Sequence, residues 1–146
     1  MWVYPYKDER EHVIYNMVNG LLLRPYMSGM VWDMGAESLE LMREGIALYK
    51  EIRNDVKTGV PVFPLGFTDT RDDVLAYAVK TEEKTYLAVF TPRTERAEIP
   101  LAAAGITGTK AKVIYPASGD CEYTVADGTL QVTMPQVTCA RLFEIC

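Results

Sequence analysis

Histidine is the side chain best suited to moving protons near neutral pH, and this sequence holds one, His12. Any Ser-His-Asp or Cys-His arrangement would have to use it. It stands among Glu9, Arg10 and Glu11 at a helix start, where a solvated surface histidine is the expectation. No Gly-x-Ser-x-Gly elbow and no glycine-rich phosphate loop occurs. Asp69, Asp72 and Asp73 form a small acidic cluster. Their spacing is not that of an EF-hand loop, and a polar turn before a strand is the plainer reading. Glycoside cleavage needs two carboxylates facing each other across the sugar bond. None of the twenty acidic residues sits at the end of an apolar strand. Asp33, next to Trp32, comes nearest, and reads first as a helix cap or loop residue. Trp2, Tyr4, Tyr6, Tyr26 and Trp32 crowd the first third of the chain. Aromatic faces stack on sugar rings, but aromatic residues at this density are more often core.

Three cysteines, Cys121, Cys139 and Cys146, are too few and too widely spaced for a disulfide framework. They pair with no second Cys or His at metal-ligand spacing, so no metal site is expected. Reduced cysteines packed as small apolar residues fit a cytoplasmic setting. A net charge of -5 repels a phosphate backbone, which argues against nucleic acid as partner. No basic amphipathic helix or long apolar run suggests a membrane. With 146 residues, 49% of them apolar, the chain can bury a core of moderate size.

The elements that would position these residues fall into two parts. Val13, Ile14, Met17, Val18, Leu21 and Leu22 recur at helical steps, and Pro25 should stop that helix at or before Arg24. The stretch from Tyr26 to Trp32 is short, apolar and interrupted by glycine, which suits a buried strand or loop. Asp33 and Gly35 can cap a second helix running to about Asp55, with Gly59 as its stop. After Gly59 the period changes to two. Strands are predicted at Val74–Lys80, Tyr86–Phe90, Lys110–Tyr115 and Ala140–Ile145, with a hairpin at Thr124–Val132 turning on Asp127-Gly128. The expected fold class is therefore α+β: residues 1–58 mostly helical, and residues 59–146 a C-terminal antiparallel β-sandwich. The first helix is apolar over more than half its surface and the sheet can cover one side, so a missing partner is expected on the other.

The order of these signals resembles a known family. Trp2-Val3-Tyr4-Pro5, then Met17-Val18-Asn19-Gly20-Leu21-Leu22-Leu23-Arg24-Pro25-Tyr26-Met27-Ser28-Gly29, resembles the end of the catalytic barrel in α-galactosidases (melibiases) of glycoside hydrolase family 36. Glu44-Gly45-Ile46-Ala47-Leu48-Tyr49-Lys50-Glu51-Ile52-Arg53 resembles the last barrel helix, and Pro61-Val62-Phe63-Pro64-Leu65-Gly66 the junction to a β domain. Tyr26 stands where the family commonly has His, and Phe63 where it commonly has Trp. The resemblance implies that residues 1–58 are the terminal strand and helix elements of a (β/α)8 barrel. It implies retaining hydrolysis of terminal α-galactosides in the full-length enzyme, with an α-galactoside oligosaccharide as ligand and no cofactor. Both catalytic aspartates would lie upstream of Met1, which would be an internal position of a longer chain. No residue here then inherits a catalytic role, and this chain alone would be inactive. Ser28 and Gly29 would sit at the C-terminal end of a barrel strand, lining the sugar subsite only with the missing barrel in place, or else serving to close the barrel. The missing barrel, or a second copy of the chain, would cover residues 1–58. The other expectation is a stand-alone β-sandwich module that binds carbohydrate or another protein.

Overall fold

The computed structural model describes residues 1–69 and 71–146. Strand β1 (Trp2–Val3) leads to helix α1 (Arg10–Leu21), which returns to β2 (Tyr26–Met27). The two strands pair in parallel, Trp2 with Tyr26 and Val3 with Met27. A parallel pair needs a crossover, and α1 supplies it. A 3-10 turn at Val31–Asp33 precedes α2 (Ala36–Thr58). The N-cap of α2 is Gly35, not Asp33. Capping comes instead from Asp8, whose carboxylate accepts the Ser38 hydroxyl at 2.5 Å and the Gly35 amide. Those bonds hold its pKa below the ordinary carboxylate value. The second helix runs three residues beyond the expected end. Its last turn is closed by Thr58 Oγ1 and the Gly59 amide, which donate to the Asn54 and Asp55 carbonyls.

The rest is antiparallel sheet. β3 (Val60–Val62), β4 (Leu75–Lys80), β5 (Thr85–Thr91), β7 (Ala111–Tyr115) and β10 (Cys139–Ile145) form one sheet in the order β3-β4-β5-β10-β7. β6 (Arg96–Pro100), β8 (Glu122–Ala126) and β9 (Thr129–Thr133) form a second, ordered β6-β9-β8. The β8–β9 turn has positive φ at Asp127 and Gly128 (49° and 71°), as its sequence predicts. The expected connector after α2 is partly strand, because β3 pairs with β4. β6 falls where no strand is expected.

The five-stranded sheet is the middle of three layers. On β5, Tyr86, Ala88 and Phe90 pack towards the helices, while Leu87 and Val89 pack towards the second sheet. Every residue of β5 is buried, as a strand covered on both faces must be. On the helical side, Val13, Ile14, Met17, Val18 and Leu21 of α1 join Leu41, Met42 and Ile52 of α2 and the sheet residues Ala140 and Leu142. Each of these α1 side chains is at most 2% exposed. The expectation that α1 keeps an uncovered apolar side is therefore corrected: the sheet, α2 and Val3 of β1 enclose it between them. The bare apolar surface lies elsewhere, on the outer face of β1 and β2.

Candidate functional site

Alternation along two short strands decides what faces outward there. Val3 of β1 turns to α1 and is buried, whereas Trp2 turns away and is 69% exposed. Tyr26 of β2 lies beside it, with ring centroids 5.9 Å apart. At the C-terminal ends of these strands the chain passes through Tyr4, Tyr6, Ser28 and Gly29. The Ser28 amide donates to the Val3 carbonyl at 3.0 Å, which extends the ladder to that point. Gly29 has φ +97°, and a Cβ there would lie 3.1 Å from the Tyr4 ring. Glycine is thus demanded twice, by backbone and by contact. A cleft of about 180 Å³ opens beside them, lined by Tyr4, Tyr6, Asp8, Met30, Asp33 and Met34. Trp32 is 77% exposed on the adjoining turn. The structure thus gathers most of the aromatic residues singled out in the sequence at one surface, with Ser28 and Gly29 among them. Of the two carboxylates in the cleft, Asp8 is committed to capping α2.

A larger groove, about 1030 Å³, runs from Tyr6 along the start of α1 to the loop Pro135–Thr138. His12 lies on this wall, half-buried rather than solvated. Its Nε2 accepts the Tyr6 amide at 3.4 Å, and its ring meets the Tyr6 ring edge-on at 4.3 Å. Burial, with Lys7 nearby, pushes its pKa below the usual histidine value and favours the neutral ring. Among the described residues, no acid or nucleophile is hydrogen-bonded to it in the manner of a triad.

Beneath the groove lies the pair that sequence reasoning missed. Arg141, on β10, is fully buried and donates to both carboxylate oxygens of Glu11 on α1, at 2.7 and 3.0 Å. Its remaining donors go to the carbonyls of Gly119, Ala140 and Asp120. Arg10 adds contacts to Asp120, Ser118 and Glu37. A signal did exist: Arg141 is the one charge inside the otherwise apolar run Cys139–Phe143. Cys139, buried next to this network, has its thiol pushed up to about 12 by burial and by Glu11. Among the described residues no cluster of three or more His, Cys, Asp or Glu could hold a metal. Asp69 and Asp72 close their own turn, Asp69 accepting from Arg71 and its amide donating to Asp72.

This arrangement can be set beside known proteins. No protein-family model and no curated protein matches the sequence. Solved structures do match by fold. An α-galactosidase of family 36 from Geobacillus stearothermophilus, solved with raffinose, aligns at TM-score 0.66 and 11% identity over 89% of this chain and 18% of its own. An Anoxybacillus α-amylase aligns at 0.65 and 13%, over 93% of this chain and 32% of its own. A family 27 β-L-arabinopyranosidase from Geobacillus stearothermophilus aligns at 0.58 and 14%, over 93% and 30%. This chain has the fold of the C-terminal region of glycoside hydrolases. It spans about a fifth to a third of the length of these neighbours. In this glycosidase-like fold the α1–β10 ion pair ties the helical layer to the sheets. No helix of the described residues is long and apolar enough to cross a membrane.

Proposed function

We propose that this chain is the C-terminal part of a glycoside hydrolase of the α-galactosidase type. Residues 1–58 complete a catalytic (β/α)8 barrel, and residues 59–146 form an accessory β domain that braces it. One observation carries the reading: β1–α1–β2–α2 is a parallel strand–helix unit covered by helices on one face and bare on the other. Parallel sheets are built with both faces covered. Two strands alone cannot do this, whereas further parallel strands beside them would turn Trp2 and Tyr26 into a barrel interior. In such a barrel the ends of β1 and β2 that carry Tyr4, Ser28 and Gly29 lie on the face where barrel enzymes react. Ser28 and Gly29 then line the sugar subsite. The nucleophile and the acid/base carboxylate of the retaining reaction come from upstream strands. The order of sequence signals favours an α-galactoside as substrate.

The purified 146-residue chain is expected to show no turnover of an aryl α-galactoside. Turnover that disappears when one of its own carboxylates is changed would overturn the proposal. The DNA upstream of the Met1 codon gives a second check. Strand–helix units with carboxylates at their strand ends support the reading, and the absence of any open frame removes it.

A second reading is a stand-alone carbohydrate-binding or interaction module. It is favoured by the full enclosure of α1 within this chain. Tight oligosaccharide binding that changes the fluorescence of Trp2 and Trp32, without any further polypeptide, would select it.

A further inference from the structure

The groove between the start of α1 and the Pro135–Thr138 loop has a chemistry of its own. Its charged groups are largely satisfied by one another. Arg10 engages Asp120 and Glu37, Glu11 is held by Arg141, and Lys7 and Glu9 stand at the rim with opposite signs. What remains open to a ligand is aromatic and neutral: Tyr6, which is 64% exposed, Tyr15 and the exposed Gln136, the Asn16 amide nitrogen being held by His12. Aromatic faces with neutral donors and acceptors are what a polyhydroxylated ring needs, because its C–H face stacks and its hydroxyls both give and take hydrogen bonds. A charged ligand would find only Lys7 and Glu9, exposed side chains of opposite sign, as partners. An extended peptide would need an open strand edge, and no residue of an edge strand lines the groove. The walls are also preformed. Thr138 pins its loop by donating to the carbonyls of Thr91 (2.8 Å) and Pro92 (3.1 Å), and the Arg141–Glu11 pair anchors the opposite wall.

Position adds a second argument. Tyr6 lines both this groove and the small cleft at the ends of β1 and β2. A chain of sugars leaving that cleft would cross Tyr6 and enter the groove. We infer that the groove is a binding site for a neutral oligosaccharide, with Tyr6 as the stacking platform and Gln136 as a hydroxyl partner. Its role as an extension of a sugar subsite rests on the function proposed above. The groove's binding chemistry does not, because every wall belongs to this chain.

The test is amide chemical-shift mapping of the ¹⁵N-labelled 146-residue chain with raffinose, up to about 10 mM, a range in which weak sites begin to fill. Shifts are expected at residues 6–16 and 135–138. Tyr6→Ala and Gln136→Ala should each weaken binding at least about threefold, the scale of one aromatic or hydrogen-bond contact. Trp2→Ala should leave it unchanged. Gln136 is exposed on a loop, so its variant folds even where Tyr6→Ala disturbs the start of α1. Shifts confined to Trp2, Tyr26 and Trp32, or absent throughout, would overturn the inference. Absent shifts leave the barrel reading to the upstream DNA, whereas shifts confined to Trp2, Tyr26 and Trp32 would favour the stand-alone module instead.

Discussion

The joint between helices and sheets depends on a few side chains. Arg141 has 0% of its side chain exposed and Glu11 has 13%, so each charge relies on the other. Removing one partner of such a pair leaves a buried charge, at a cost of roughly 3 kcal/mol or more, whereas exposed pairs contribute well under 1. Glu11→Ala should therefore lower the urea midpoint strongly. The double change Glu11→Met with Arg141→Leu should recover most of the loss, since apolar replacements strand no charge. Asp120 gives a gentler, pH-dependent contribution. The Ser118 hydroxyl, and then Arg10, hold its pKa below the usual carboxylate value. A depressed folded-state pKa adds stability that is complete above the unfolded-state value, about 4, and vanishes as pH falls through the folded one. Asp120→Asn should flatten the acid side of a stability-against-pH curve and leave its neutral side nearly level. The cysteines report burial directly. Cys146 is exposed, Cys121 half-buried, and Cys139 buried with its thiol raised to about 12. A thiol reagent should label Cys146 first, Cys121 more slowly and Cys139 only upon unfolding.

Elements meet through small residues and tyrosine hydroxyls. Tyr77, Tyr86 and Tyr115 reach from the five-stranded sheet to the Asn19 carbonyl, the Asp55 carboxylate and the Leu41 carbonyl. Gly45 lets α2 lie close to its neighbours, because a Cβ there would sit 2.5 Å from Met17 Cε and 3.2 Å from the Tyr115 ring. Gly45→Val should cost about 2 kcal/mol in thermal or urea unfolding, the usual scale of overpacking. This level also shows what a sequence can reveal. Both helices are legible because their apolar residues recur at three and four over many turns. The β8–β9 hairpin is legible because Asp127-Gly128 admits positive φ at both turn positions. β1 and β2 are invisible as strands, since two residues cannot establish a period. β6 alternates polar and apolar residues, but ends in Pro100 and has few β-branched residues to mark it. The Arg141–Glu11 pair joins positions 130 residues apart, and no local pattern links them. The enclosure of α1 is likewise hidden. Its wide apolar face implies two covers, and only the fold shows that β10 and α2 supply them. Ser28 and Gly29 could be placed at a strand end by the family resemblance, while the groove that starts at Tyr6 needed the 135–138 loop brought against α1.

At the scale of the whole molecule, exposed aromatic residues gather at the β1–β2 edge, apart from a separate Phe63–Phe67 pair. The two sheets and both helices bury their apolar faces against each other, yet Trp2, Tyr4, Tyr6, Tyr26, Met30 and Trp32 all remain exposed around the β1–β2 edge. Scattered exposed apolar residues are ordinary in a monomer, but a contiguous group marks a surface that meets something. The free edges of β1 and β2 add unpaired backbone groups to that surface. If further barrel strands are its natural cover, the isolated chain should seek a substitute, and another copy is the nearest one at high concentration. Sedimentation velocity of the wild-type chain should therefore show association that grows with concentration. Trp2→Ser with Tyr26→Ser should remain monomeric over the same range. Because both side chains point away from the core, the double variant should keep the wild-type melting temperature measured in dilute solution, where association does not add to stability. A wild-type chain that stays monomeric at every concentration would mean that the patch does not act as a docking surface. A double variant that melts well below the wild type would mean that these rings support the fold rather than await a partner.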